Sequence, residues 1–279
     1  MAKHLLIFVG VFCLIFVGAL TSIANAAEYG IPRELTVLSW NIRHGRGLDG
    51  VVNLDRIAKE ILRAGVDIAI LNEVDNNWGP RSGYANQPEL LGRLTGLNVA
   101  YFASLERLGL NGYRQYGNVI LSKYPIVIQG GFTLPKSFGT ESRTVNRVVV
   151  DLGGEHITVY GTHLTIVRKD TLKQITEINE MIAKEVYPVI LAGDLNVVSP
   201  SPEIRELVER GKLVDSFSLA NPGKPGFTFP ASNASERVDY IFLQEPLAAY
   251  LVSASVLETR ASDHHAILVK LKVPQTEQS

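Results

Sequence analysis

Six stretches of this chain place chemically capable side chains within, or directly after, short apolar runs: Asn41, Glu73, His163, Asp194 with Asn196, Asp239, and Asp263 with His264. In Val189 to Asn196, the apolar run Val189-Ile190-Leu191-Ala192 is stopped by Gly193 and followed by Asp194, Leu195 and Asn196. The run predicts a buried strand, and alternation along it points the Asp194 carboxylate and the Asn196 amide the same way. A strand followed by a plain Asx turn is the other reading. Oxygen groups gathered on rigid strands suit a hard cation such as Mg²⁺, or a phosphate ester bound to one.

The chemistry such a set supports is hydrolysis of a phosphate ester. Glu73 and Asp263, with Asn41 near them, would hold a divalent cation that neutralises charge on the scissile phosphate. Asp239 would accept a hydrogen bond from the His264 ring, fixing its tautomer and raising its basicity, while the other ring nitrogen takes a proton from water. His163 is then free to bind or protonate a phosphate oxygen, and Asp194 and Asn196 orient the water and the phosphate. Arg143 offers paired donors to phosphate, with Asn118 as a second candidate. Plain alternatives stand beside these: His163 as a core histidine, Asp239 paired with Arg237, Arg143 as a surface group paired with Glu141. Arg168, Lys169 and Lys173 form either a basic rim or a solvated helix face.

The elements that must position these residues are legible in outline. Leu35 to Trp40 predicts a strand, Leu54 to Ala64 a helix stopped by Gly65, and Ile68 to Leu71 a second strand. Further strands are expected at Val99 to Ala103, Gly117 to Ser122, Pro125 to Gln129, Val238 to Leu243, Leu251 to Leu257 and Ala266 to Val273. Arg147 to Leu152 and Ile157 to Thr162 form a hairpin around Gly153-Gly154. Helices are expected at Pro88 to Leu94, Thr171 to Lys184 and Glu203 to Arg210, and long loops at Asn76 to Gln87 and Asn221 to Pro230. Many short strands and few helices imply two packed sheets with helices outside.

Of 279 residues, 46% are hydrophobic and 20% charged, which excludes disorder; 27 basic against 28 acidic side chains do not mark a dedicated nucleic-acid binder, which usually shows a strong basic excess, and leave room for a local basic groove. Residues 1–26 read as a secretory signal peptide: Lys3 and His4, an apolar run, then Ala24-Asn25-Ala26. Uncut, the run is long enough for a membrane anchor. Either way the body, residues 27–279, is expected outside the cytoplasm as one domain. Cys13, the sole cysteine, lies in the leader, so the body has no disulfide.

Trp40-Asn41-Ile42, Asn72-Glu73-Val74, Gly161-Thr162-His163-Leu164, Gly193-Asp194-Leu195-Asn196, Val238-Asp239-Tyr240-Ile241 and Ser262-Asp263-His264 resemble, in order, the signature segments of the endonuclease/exonuclease/phosphatase superfamily. The resemblance implies a four-layer α/β sandwich of the deoxyribonuclease I-like type, with two central mixed β-sheets flanked by helices and the site at one edge. It also implies dependence on Mg²⁺ or Mn²⁺, with Glu73 the principal ligand assisted by Asp263 and Asn41. Within the superfamily the chain looks most like bacterial members known only as metal-dependent hydrolases. An exported phosphodiesterase acting on nucleic acid or a small phosphodiester is the leading expectation, as a monomer with no obligate protein partner. The alternatives are a phosphomonoesterase or a sphingomyelinase-like phospholipase at the envelope, and a non-catalytic module that binds phosphate ligands.

Overall fold

The protein is seen here as a computed structural model that describes residues 29–110 and 112–276; the leader, Cys13 and the expected cleavage site lie outside the described residues. Among the described residues, twelve strands form two six-stranded sheets. The first runs β11 (Leu251–Leu257), β12 (Ala266–Thr276), β1 (Tyr29–Asn41), β2 (Ile68–Asn76), β4 (Gly112–Ser122), β3 (Asn98–Gly109). The second runs β5 (Ile126–Thr133), β6 (Thr144–Asp151), β7 (His156–His163), β8 (Val189–Asp194), β10 (Asp239–Gln244), β9 (Leu213–Asp215).

Each sheet contains one parallel pair, β1 with β2 and β7 with β8; the other neighbours are antiparallel. A parallel pair needs a crossover, and helices α1 (Leu54–Arg63) and α3 (Arg168–Ile182) supply it. Both pairs therefore send two carboxyl ends to one edge, with Asn41 beside Asn72 and His163 beside Asp194. Helices α2 (Gln87–Thr95), α4 (Pro202–Glu209), α5 (Ser216–Ala220) and α6 (Glu245–Ala248) complete the set.

Burial sorts the strand residues by parity. Val37, Ile70, Ile120, Val148, Val159, Ile190 and Ile241 meet between the sheets. Their strand neighbours Leu38, Leu71 and Val119 pack outward against Ile57, Ile61 and Leu91 of α1 and α2. Tyr160, Leu191 and Tyr240 pack outward against Ile175 and Ile178 of α3 and Leu207 of α4. The result is the expected four-layer sandwich. Continuing the inward parity to the strand ends gives Asn41, Asn72, Asn118, His163, Asp194 and Asp239, so the intersheet layer turns from aliphatic to polar at one edge.

Two departures from the expected elements matter. Strand β2 does not stop at Leu71; its register with β4 slips between Leu71 and Val74, and Glu73 sits in that bulge with φ +59°. The extra residue turns Val74 outward and sets Glu73 apart from the alternation. Residues 104–109 and 112–116, given no element from the sequence, form the outer part of the long β3–β4 pair.

Candidate active site

Asp194 is the hub of the polar edge. Its Oδ2 accepts from Asn41 Nδ2 at 3.0 Å and lies 3.5 Å from His163 Nε2 and 3.8 Å from His264 Nε2. Asn41 Nδ2 also donates to Glu73 Oε1 at 3.1 Å, so one amide bridges two carboxylates. Asn72 ties the sheets together here: it accepts from the Asp194 N–H at 2.9 Å and donates to Thr162 O at 3.0 Å and to Asn118 Oδ1 at 2.9 Å. No role for Asn72 was expected from the sequence; an amide that directly follows the run Ile68-Ala69-Ile70-Leu71 is the signal that it must be satisfied across the sandwich.

His264 arrives on the loop before β12. Trp40 Nε1 donates to its carbonyl at 3.0 Å, Ser262 Oγ donates to Asn41 O at 2.7 Å, and the Phe229 ring covers its imidazole at 4.6 Å. Nδ1 lies 2.9 Å from Asp239 Oδ2, the expected pair. Burial opposes charge on this ring, but the Asp239 carboxylate, followed by Asp194 and Asp263, outweighs it and pushes the pKa up to about 10. Arg237, the alternative partner for Asp239, is held instead by both oxygens of Asp215 at 3.0 and 2.5 Å.

His163 departs from expectation, because its ring is not free. Arg143 Nη1 lies 3.0 Å from Nδ1, and a guanidinium can only donate, so the proton resides on Nε2, facing Asp194. Burial, aided by Arg143 and His264, lowers its pKa to about 3 against the pull of Asp194. In this state His163 is a neutral ring whose Nε2–H is a hydrogen-bond donor. Arg143 does pair with Glu141 at 3.1 Å, but it is buried at 9% exposure and is no surface arginine.

Asn196 also differs: it lies past the end of β8 at φ +51°, so strand alternation does not govern it. Its N–H donates to Asp194 Oδ1 at 2.9 Å, the Asx turn, and its Nδ2 donates to Leu164 O at 2.9 Å. Those bonds make it a clamp on the ends of β7 and β8. Asn118 retains a buried Nδ2 with no partner, an unused donor at the polar edge.

The donor set suits a divalent cation. Burial raises the Glu73 pKa, and the charges of Asp194 and Asp263 raise it further, against the Asn41 hydrogen bond and His264. Asp239 Oδ1 is buried without a partner, and ligand atoms of Asp194, Asp239 and His264 lie within 4.8 Å of one another. Crowded, desolvated carboxylates with an orphan oxygen are what a hard cation relieves. Asn41 turns its Oδ1 to the Arg43 N–H at 3.1 Å, so as seen it braces the carboxylates. Asp263 is held by Arg43 Nε at 3.2 Å.

The fold has close counterparts among solved structures. An endonuclease/exonuclease/phosphatase from Beutenbergia cavernae is 26% identical, with 86% of this chain and 72% of that one covered and a TM-score of 0.71. A mannosyl-6-phosphatase of Bacteroides thetaiotaomicron is 18% identical over 85% of this chain and 99% of that one, with a TM-score of 0.66. Truncated TDP2 of Caenorhabditis elegans is 22% identical over 86% and 98%, with a TM-score of 0.62. These last two show the fold alone. A search of curated proteins finds no match. The family model for the endonuclease/exonuclease/phosphatase family matches residues 38–264, a span that begins in β1 and closes on His264, and the chain belongs to that family.

Proposed function

We propose that this protein is a divalent-metal-dependent phosphodiesterase that works outside the cytoplasm, with nucleic acid or a small phosphodiester as substrate. Members of its family are phosphoester hydrolases, and this chain is one. The reading rests on one observation, the His264–Asp239 pair standing beside Asp194, with Glu73 and Asp263 brought in from other parts of the chain. The leader composition supports export.

Glu73, Asp263 and Asp194 would hold Mg²⁺ or Mn²⁺, which supplies charge neutralisation at the scissile phosphate when bound. The protein's own groups do the rest. Asp239 fixes His264 with Nε2 toward Asp194, where it moves a proton to or from water. Positive charge nearby lowers the His264 pKa toward neutrality, where it becomes competent as a base. His163 offers Nε2–H, and Arg143 and Asn118 offer N–H groups, to phosphate oxygens. Four carboxylates, Glu73, Asp194, Asp239 and Asp263, face Arg43, Arg143 and one dication; with no excess of positive charge, that balance suits a monoanionic diester better than a dianionic monoester.

The test uses full-length protein stripped of metal and assayed on bis(4-nitrophenyl) phosphate and 4-nitrophenyl phosphate with Mg²⁺, Mn²⁺ or chelator. Diester cleavage that needs the metal, and a higher metal requirement in Glu73→Gln, are expected. Faster monoester cleavage would move the assignment to a phosphatase.

A further inference from the structure

Arg107 on β3 and Arg114 on β4 stand directly opposite each other in the hairpin ladder. Opposed residues share a face of the sheet, and like charges so placed repel. Among the described residues neither forms an ion pair. Each guanidinium lies instead over an aromatic ring of the loop between β2 and α2. Arg107 sits 4.4 Å from the Trp78 ring centre and donates to the Trp78 carbonyl at 3.1 Å, and Arg114 sits 4.9 Å from the Tyr84 ring centre. Tyr84 N–H donates to Gly79 O at 3.0 Å, so the loop folds back and holds both rings to the hairpin. Glu106, one residue along, points to the other face and is taken up by Gln115.

This unneutralised pair adjoins the catalytic edge. The Trp78 ring lies 5.8 Å from the Tyr116 ring, and the Tyr116 phenol lies within the field of Glu73. Arg81, beneath them, is already neutralised by Asp75 at 2.6 and 2.9 Å. Two cations held side by side, at the cost of their mutual repulsion and without acids, are placed for an anion that arrives with the substrate. A guanidinium stacked on a ring still presents its N–H edge to phosphate oxygens.

We propose that Arg107 and Arg114, seated on Trp78 and Tyr84, form a second anion subsite that takes a phosphate of the substrate other than the one hydrolysed. The subsite rests on the phosphoesterase reading and narrows it to substrates with at least two phosphates. A nucleic-acid strand and a small sugar phosphodiester with a further phosphate share that chemistry.

Two measurements test it. In the first, full-length metal-free protein is titrated calorimetrically with inorganic pyrophosphate. The Arg107→Gln/Arg114→Gln double variant is expected to lose about tenfold in affinity, the scale of one charge-assisted hydrogen bond, and Arg210→Gln, an exposed arginine directly after α4, to lose none. Unchanged affinity in the double variant, or an equal loss in Arg210→Gln, overturns the proposal. In the second, metal-replete enzyme is assayed on bis(4-nitrophenyl) phosphate, a 5′-phosphorylated dinucleotide and a sugar phosphodiester bearing a second phosphate. The double variant should raise KM about tenfold on the two-phosphate substrate that is turned over, with kcat and the single-phosphate KM unchanged. An equal rise on all substrates overturns the subsite. No turnover of any ester by the unmutated enzyme would remove the hydrolase reading, and the titration would then decide the subsite by itself.

Discussion

A histidine that stays protonated at neutral pH makes a poor base, and His264, raised to about 10, is in that state until positive charge arrives beside it. His264→Ala is expected to cut kcat by about 10²- to 10⁴-fold with folding retained, checked by steady-state kinetics and circular dichroism. Asp239→Asn should lower the pH at which the ring loses its proton, which a titration of the ring resonances by NMR reads directly; an unmoved resonance would dissociate the pair. At this scale the sequence was generous, since the six strand-end stretches hold nearly every group that meets at the site. It was silent on the contact between Arg143, directly before β6, and His163, at the end of β7, which have no periodic relation, and so on the neutrality of His163. Asn196 misled because alternation holds only while the strand lasts, and β8 ends at Asp194.

Elements fix how closely these groups can approach. Gly193 has φ +146°, and a Cβ there would lie 1.8 Å from Thr162 O on the neighbouring strand. Gly193→Ala is therefore expected to cost about 3 kcal/mol or more and to part β7 from β8, separating His163 from Asp194; urea unfolding gives the size of the loss. A stability within 1 kcal/mol of the parent, a roughly neutral result, would show that the strands can absorb the methyl group. The strands around this contact were readable because their aliphatic residues alternate or run unbroken. The bulge at Glu73 was not, since a single inserted residue leaves no mark in a pattern as short as Leu71-Asn72-Glu73-Val74. The outer part of the β3–β4 hairpin escaped for a different reason: Leu105 to Gln115 is dominated by polar, charged and glycine residues that carry no hydrophobic period.

For the whole molecule, the buried histidines set opposing pH limits. His163 and His44, lowered to about 3 and about 4 chiefly by burial, take up protons more readily when unfolded, so stability falls as pH drops from about 6.5 toward those values. His264 works the other way: its contribution is whole below about 6.5 and is lost as pH rises toward about 10. Glu73, raised by burial, likewise loses its contribution as pH rises, starting from the ordinary carboxylate range. Metal-free protein should therefore be most resistant to heat near pH 6.5, and a divalent cation should flatten the alkaline decline. Thermal scans across pH with chelator and with Mg²⁺ check this, and an alkaline limb that is flat without metal would contradict the assignment of His264. The pairing of β1 with β12 has a further consequence. β1 lies between β2 and β12, the last of the described strands, so the first sheet has a gap beside β1 until β12 has been made. Trp40 and Asn41 likewise wait for His264 and Ser262, which close on them just ahead of β12. A chain cut short before Ser262 would hold the residues of eleven of the twelve described strands and lack the histidine that meets Asp239.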